Sequence, residues 1–215
     1  MGKLLKKELR LALHPTAPIF LLLSSMMMIP NYPYLVVFFY TGRAVFFTCL
    51  NGRENQDVTF TVLLPIAKKD VVKARILLVT LLEITQLAIA VPFAALRQTL
   101  IHEPNLVGMD ANIALLGFAL LQMGLFNKVF FGIYYRDVRQ VGRAFVWSSV
   151  AMFVLICVEE AMTHAVPFVR DVLDTPDPEH LAAKLIVLLA GAALFAILTW
   201  RALSKAQHDF EAQDL

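Results

Sequence analysis

Apolar residues run along this chain in long blocks separated by short charged stretches. The first segment, 1–13, is different: Leu4, Leu5, Leu9, Ala12 and Leu13 recur at helical spacing, with Lys3, Lys6, Lys7 and Arg10 on the opposite side. That pattern predicts an amphipathic helix lying on an anionic lipid surface. The blocks 16–29 and 34–50 follow, separated by Pro30 and Pro33, and read as a tight membrane hairpin. Four more apolar blocks, 76–96 (interrupted by Pro92 near its far end), 112–131, 144–162 and 181–202, complete six predicted spans. About twenty residues cross a bilayer, so the first span is short and borrows length from the segment before it. The segment 165–180, with Pro167, Pro176 and Pro178, is too polar to span.

The polar stretches carry the orientation signal. Cations concentrate in 3–10, 53–75 and 128–143, and at Arg201 and Lys205, whereas 97–111 and 163–180 hold Glu103, Asp110, Asp171, Asp174, Asp177 and Glu179 with few cations. Lys and Arg gather on the cytoplasmic side of membrane proteins, so both termini and the loop 52–75 are expected in the cytoplasm and the chain in the plasma (inner) membrane. Trp147 and Trp200, near the predicted cytoplasmic ends of the fifth and sixth spans, fit interfacial positions. Composition agrees: 59% of the 215 residues are hydrophobic, 17% are charged and the mean hydropathy is +0.67, whereas soluble domains carry about a quarter charged residues. The reading is an all-α polytopic membrane protein forming a single transmembrane domain over 1–215, with a cytoplasmic tail at 203–215. The net charge of +2 implies no nucleic-acid partner. Met1 to Leu23 lacks the small-residue cleavage site of a signal peptide, and Lys6 stands where a myristoylation signal needs Ser or Thr.

The loop 52–75 organises the rest. Glu54, Asn55, Gln56 and Asp57 are followed by Phe60, Val62, Leu63 and Leu64, so a short helix over 54–64 has one wet and one apolar side. Pro65 ends it, and Lys68, Lys69, Lys73 and Arg75 lead into the third span with Asp70 placed to cap or begin it. This run, Leu-Leu-Pro-Ile-Ala-Lys-Lys-Asp from Leu63 to Asp70 followed by Val71-Val72-Lys73, resembles the ABC-2 type transporter permeases. Ala67 stands where that family usually has a hydroxyl residue, and Lys73 comes slightly early. The number and order of apolar blocks extend the resemblance over nearly the whole chain.

The resemblance implies the membrane subunit of an ATP-driven exporter, with the 54–64 helix as the coupling helix. Phe60, Leu63 and Leu64 would seat in a groove of a cytoplasmic ABC ATPase subunit, Pro65 would close the helix, and Glu54 and Asp57 would meet the polar rim. The partners implied are two such ATPases, a second permease copy or a paralogue, and membrane lipid. ATP and Mg belong to the partner subunit, and no cofactor is expected in this chain. Aromatic spans and short outer loops suit an amphipathic or hydrophobic cargo taken from the inner leaflet, although aromatic packing alone would give the same composition; of the family's cargoes, antimicrobial or cytolytic peptides, drugs or lipid-linked sugars, peptides or drugs are favoured because a small subunit offers little room for a bulky glycan. The other classes left open are a non-transporting immunity or sensor subunit using the same loop, and an intramembrane protease.

Three further features need weighing. Arg43 and Glu83 lie inside apolar spans, equally far from Leu63, so an antiparallel hairpin would bring them to one depth as an ion pair; the alternative is a snorkelling Arg43 and a protonated Glu83. Glu159, Glu160 and His164 resemble part of the CAAX-type protease motif, yet His164 stands where that motif has Arg, and no histidine here follows a Phe by four residues. Gly117 and Gly124, and Ala192 with Ala196, read as close-packing positions. Cys49 and Cys157 lack CxxC spacing, and HExxH, GxSxG and GxxxxGK[ST] motifs are absent from the sequence. ATP hydrolysis is therefore expected only in a separate subunit.

Overall fold

The computed structural model describes residues 1–212, and among them there is helix and no strand. The N-terminal segment forms α1 (Gly2–Lys7), continued by a π-helical stretch, Glu8–Ala12. After a turn at His14 to Thr16 comes α2 (Ala17–Leu22), with Pro18 in its first turn, continued by a 3-10 stretch, Leu23–Met28. The two halves meet at 87°. One half thus lies across the other, as an interfacial helix lies across a span. Pro30 and Pro33 then hold the chain out of helix until α3 (Leu35–Glu54).

After α3 come the short α4 (Asp57–Val62) and four long helices: α5 (Lys68–Leu100), α6 (Ile113–Tyr134), α7 (Val141–Ala165) and α8 (Leu181–Glu211). Five helices (α3, α5, α6, α7 and α8) are long and apolar enough to cross a membrane, and the bent N-terminal pair makes a sixth if counted as one span. The count is thus five to six, the sixth differing from the expected span 16–29 in that it needs the N-terminal half as well. Pro92 does not interrupt its helix: α5 continues to Leu100. A proline within a membrane helix forfeits one hydrogen bond, a loss that neighbouring helices and local adjustment make good. Both α5, of 33 residues, and α8, of 31, outreach a bilayer at 1.5 Å per residue. The expected tail is therefore largely a continuation of α8; its last three residues lie outside the described residues.

The most buried span is α6, which packs against α3, α7 and α8. Its start is fixed by Asn112, whose side chain accepts from the Leu115 N–H at 3.1 Å, as an N-cap does. Close approach to α8 depends on glycine: a Cβ on Gly191 would sit 2.1 Å from the Gly117 carbonyl oxygen, and one on Gly124 would sit 2.9 Å from Phe195 Cα. Gly117 and Gly124 are thus packing positions as expected. On α8, however, the residue at the crossing is Gly191, and Ala196 faces outward. A column of stacked and edge-on rings, Phe126, Phe130, Tyr134 and Tyr135, runs down α6 and ends on Phe210 of α8. Large apolar side chains of α7 and α8, such as Phe153, Val154, Ile186 and Leu189, face outward and clothe the bundle for lipid.

The bundle has two chemically different ends. At the basic end α1, α4, the turn 135–140 and the end of α8 come together: Lys69 pairs with Glu211 at 3.1 Å, and Arg53 donates to the Arg139 carbonyl at 3.3 Å. At the acidic end, the loops between α2 and α3, between α5 and α6, and between α7 and α8 interlock. Asn105 donates to the Tyr32 carbonyl, the Asp110 N–H to Asp174, and buried Lys184 to Asp177 and to the Thr175 and Pro176 carbonyls.

Candidate functional site

The loop at the basic end is built around one left-handed residue. Helix α3 runs through Glu54, and Gln56, at φ 52° and ψ 30°, reverses the chain so that α4 starts at Asp57. The expected helix over 54–64 is therefore shorter, because Glu54 belongs to the preceding span and Leu63 to Ala67 form the turn into α5. Asp57 in the first turn suits the positive end of the helix, and the Thr61 hydroxyl donates back to the Asp57 carbonyl at 2.6 Å.

Two faces of α4 differ completely. On the inner face Val58 and Thr61 are buried, and Asp57 enters an ionic cluster that the sequence pattern did not reveal. Arg75, buried in the first third of α5, donates from Nε to Glu8 and from Nη2 to Asp57 at 2.6 Å. Lys7 reaches Asp57 at 2.5 Å, Glu8 at 3.1 Å and the Thr61 hydroxyl at 2.9 Å. Two acids and two bases thus cancel formally, and each carboxylate has two cationic donors. A buried charge without such partners would cost several kcal/mol. Gly52 makes room for it: a Cβ there would lie 3.3 Å from Arg75 Nη1. The cluster ties the N-terminal helix, α4 and α5 together.

On the outer face Phe60, Leu63 and Leu64 are 64%, 78% and 54% exposed, with Pro65 also exposed beside them. Three large apolar side chains thus project from one tip. Beside α4, Gly52, Arg53, Gln56, Thr59, Val138 and Arg139 line a cavity of about 400 Å³. Of the two acids expected on a polar rim, only Glu54 is there, paired with its neighbour Arg53 at 2.5 Å. Asp57 is turned inward, because its carboxylate meets two cations there and would meet water outside. Sequence reasoning missed Lys7, Glu8 and Arg75. An acid among the cations of an interfacial helix and an arginine at a span's base were the available signals, but their partners lie far off along the chain.

The two intramembrane charges are not brought together. Arg43 is exposed on α3, its guanidinium 5.8 Å from the ring centroids of both Phe39 and Tyr40. Glu83 is buried and accepts from the Asn127 amide of α6 at 2.8 Å, and that amide also donates to Thr199 of α8. The ion pair expected from their symmetric spacing is replaced by these contacts, since Arg43 turns toward α7 and Glu83 toward α6. Glu159 accepts from Gln122 at 2.5 Å, Glu160 from the Met109 N–H at 3.0 Å, and His164 meets the Val107 carbonyl. Glu160 and His164 therefore pin the loop between α5 and α6 instead of facing each other across a reaction site.

These features define a multi-pass helical membrane protein carrying a short amphipathic helix at its basic end, locked on one face and open on the other. The chain belongs to the ABC-2 family: the family model described as ABC-2 family transporter protein matches residues 3–205. It is accordingly the membrane, permease component of an ABC transporter. Neither the curated proteins nor the solved structures contain a match to it.

Proposed function

We propose that this chain is the permease subunit of an exporter, that its basic end faces the cytoplasm, and that an ABC ATPase subunit docks on α4 and the turn after it. The observation that carries this reading is the apolar tip of Phe60, Leu63 and Leu64, held out by a helix whose opposite face is anchored through Asp57 to Arg75 and Lys7. A lone apolar side chain in water is ordinary, but three on one anchored turn make a compact anchor for a partner's groove. Force applied at the tip passes through the cluster to α1 and to the base of α5. Rigid linkage, which a flexible loop lacks, lets nucleotide-driven closure of the motors tilt a span.

ATP and Mg are bound by the partner, and a second permease copy or a paralogue completes the pathway. The cargo is an amphipathic or hydrophobic molecule, such as an antimicrobial peptide or a drug, moving outward. The test is ATP hydrolysis by the chain copurified with its ATPase. Phe60→Ala and Leu64→Ala should each cut cargo-stimulated hydrolysis by about tenfold or more, because truncating a central apolar anchor costs about 2 kcal/mol. Unchanged stimulation in both variants, with the complex intact, would refute the docking assignment. A chain that binds an ATPase but never stimulates it would instead fit a non-transporting immunity or sensor subunit.

A further inference from the structure

Most cations of the basic end sit in loops or at helix ends, but Lys128 does not. It stands six residues before the end of α6 at Tyr134, about 9 Å along the axis and inside the apolar span. Its side chain is exposed, and among the described residues it has neither an ion pair nor a hydrogen bond. Arg143, in the first turn of α7, is exposed and unpaired in the same way. A cation within a span is costly unless an anion or water meets it. The acids of this corner are already engaged. Asp137 accepts from the Arg139 N–H at 3.0 Å and from the Gln140 amide at 2.8 Å, and Asp209 accepts from Lys205 at 2.8 Å and Arg136 at 3.4 Å.

The surroundings form a groove. Helices α7 and α8 pack on α6 and are not themselves a packed pair. Between them a strip of α6 is left half-buried: Leu121, Leu125, Val129 and Ile133, at helical spacing. At its basic end the strip meets a cavity of about 270 Å³ lined by Ile133, Arg136, Asp137, Gln140, Arg143 and Trp147. On the side of α8 stands Lys205, whose Cε would lie 3.7 Å from a Cβ on Gly132. Trp147 is exposed and six residues into α7, so it lies about level with Lys128, at the depth where an amphipathic ring meets the headgroup boundary. Helix α7 also begins here with no side-chain cap on Gln140, and its positive end adds to the field of the cations. Four cations thus face two acids around an apolar strip that leads into the membrane. Charge of this sign beside such a strip complements a molecule with an anionic head and an apolar chain. A second copy of the chain is a poorer occupant, because two-fold pairing of this face would set the cations against their own images.

We propose that the groove between α7 and α8 holds one anionic phospholipid of the leaflet at the basic end, its phosphate beside Arg136 and Arg143 with Lys128 flanking it, and an acyl chain along Val129 and Leu125. The site requires no ATPase and is the same whichever way the basic end faces, so it stands or falls apart from the exporter reading.

The test uses the full chain in vesicles of phosphatidylcholine and phosphatidylglycerol, in which one lipid or the other carries brominated chains that quench tryptophan on contact. Trp200→Phe leaves Trp147 as the one tryptophan. Phosphatidylglycerol should occupy the position beside Trp147 about tenfold more strongly than phosphatidylcholine, the order of factor that unpaired interfacial cations supply. Lys128→Gln with Arg143→Gln should bring the two lipids to parity, whereas Lys128→Arg with Arg143→Lys should keep the preference. Lys73→Gln, which removes an exposed cation of α5, should leave it unchanged. Equal occupancy by the two lipids overturns the site. So does a preference that survives the double neutralisation, or one that falls as far in Lys73→Gln, since either marks a general surface attraction. Trp147 left unquenched by both lipids also overturns it and assigns the groove to protein.

Discussion

Arg75 illustrates how one side chain sets the geometry of the basic end. Its guanidinium spans Glu8 and Asp57, residues from two other elements, and lies where no water covers it. Removing one member of such a cluster leaves a buried charge short of a partner, which typically costs about 3–5 kcal/mol, more than the cluster contributes over apolar residues of the same shape. Arg75→Gln should therefore lower the apparent melting temperature in detergent markedly, and Glu8→Gln added to it should restore part of the loss. If the double variant melts no higher than Arg75→Gln alone, Glu8 and Arg75 are not energetically coupled. At the acidic end Asp174 behaves differently. Burial pushes its carboxyl up to about 7, and the charges of Asp110 and Glu160 push the same way against the hydrogen bond from the Asp110 N–H. An unfolded chain ionises this group near 4. Between about 4 and 7 the folded form therefore holds a proton that the unfolded form has lost, and stability falls as the pH rises through that window. Asp174→Asn keeps the acceptor and removes the charge, so melting should match the natural protein at pH 3, below both pKa values, and exceed it at pH 8. A gap of equal size at both values would show that Asp174 ionisation does not govern this end.

At the scale of elements, the crossing of α6 and α8 brings backbone against backbone and rests on three missing side chains, at Gly117, Gly124 and Gly191. Gly191→Ala places a Cβ 2.1 Å from the Gly117 oxygen, so one helix must shift. Overpacking of this kind costs about 1–3 kcal/mol, seen as a lower melting temperature, whereas Gly142→Ala, with nothing within 4 Å, should leave melting unchanged. Equal melting of the two variants would mean that α8 slides freely on α6. The helices themselves were legible in the sequence, because a span must be apolar along its whole length and a soluble helix seldom keeps about twenty such residues together. Gly117 and Gly124 were legible too, since small residues at helical spacing leave a periodic trace. What joins the elements was not. Glu8 and Arg75 lie 67 residues apart and share no local pattern. The symmetric spacing of Arg43 and Glu83 about Leu63 predicted equal depth, but depth leaves the facing of each helix undetermined. Likewise Asp57 reads as a solvated acid on an amphipathic helix until the cations behind it come into view. The exposed tip from Phe60 to Pro65 was readable because its signal, apolar residues between a polar run and a proline, is local.

For the whole molecule, everything about direction depends on which end of the bundle meets the cell interior. The basic end gathers α1, α4 and the turn before α7, while the acidic end carries Asp110, Asp174, Asp177 and Glu179. Moving cationic loops across a membrane during insertion is disfavoured, whereas acidic ones contribute little, so the basic end is expected to stay in the cytoplasm. Leu63 and Leu106, 78% and 72% exposed, mark the two ends and serve as labelling positions. The natural thiols interfere little, since Cys49 is buried and Cys157 sits within the membrane span α7. A membrane-impermeant maleimide added to intact cells should label Leu106→Cys promptly and Leu63→Cys only after the membrane is permeabilised. The opposite pattern would put the apolar tip outside, out of reach of any nucleotide-driven partner. Phe60, Leu63 and Leu64 would then be left to dock an extracellular protein, and the ion cluster behind them would be a rigid mount with no motor to serve.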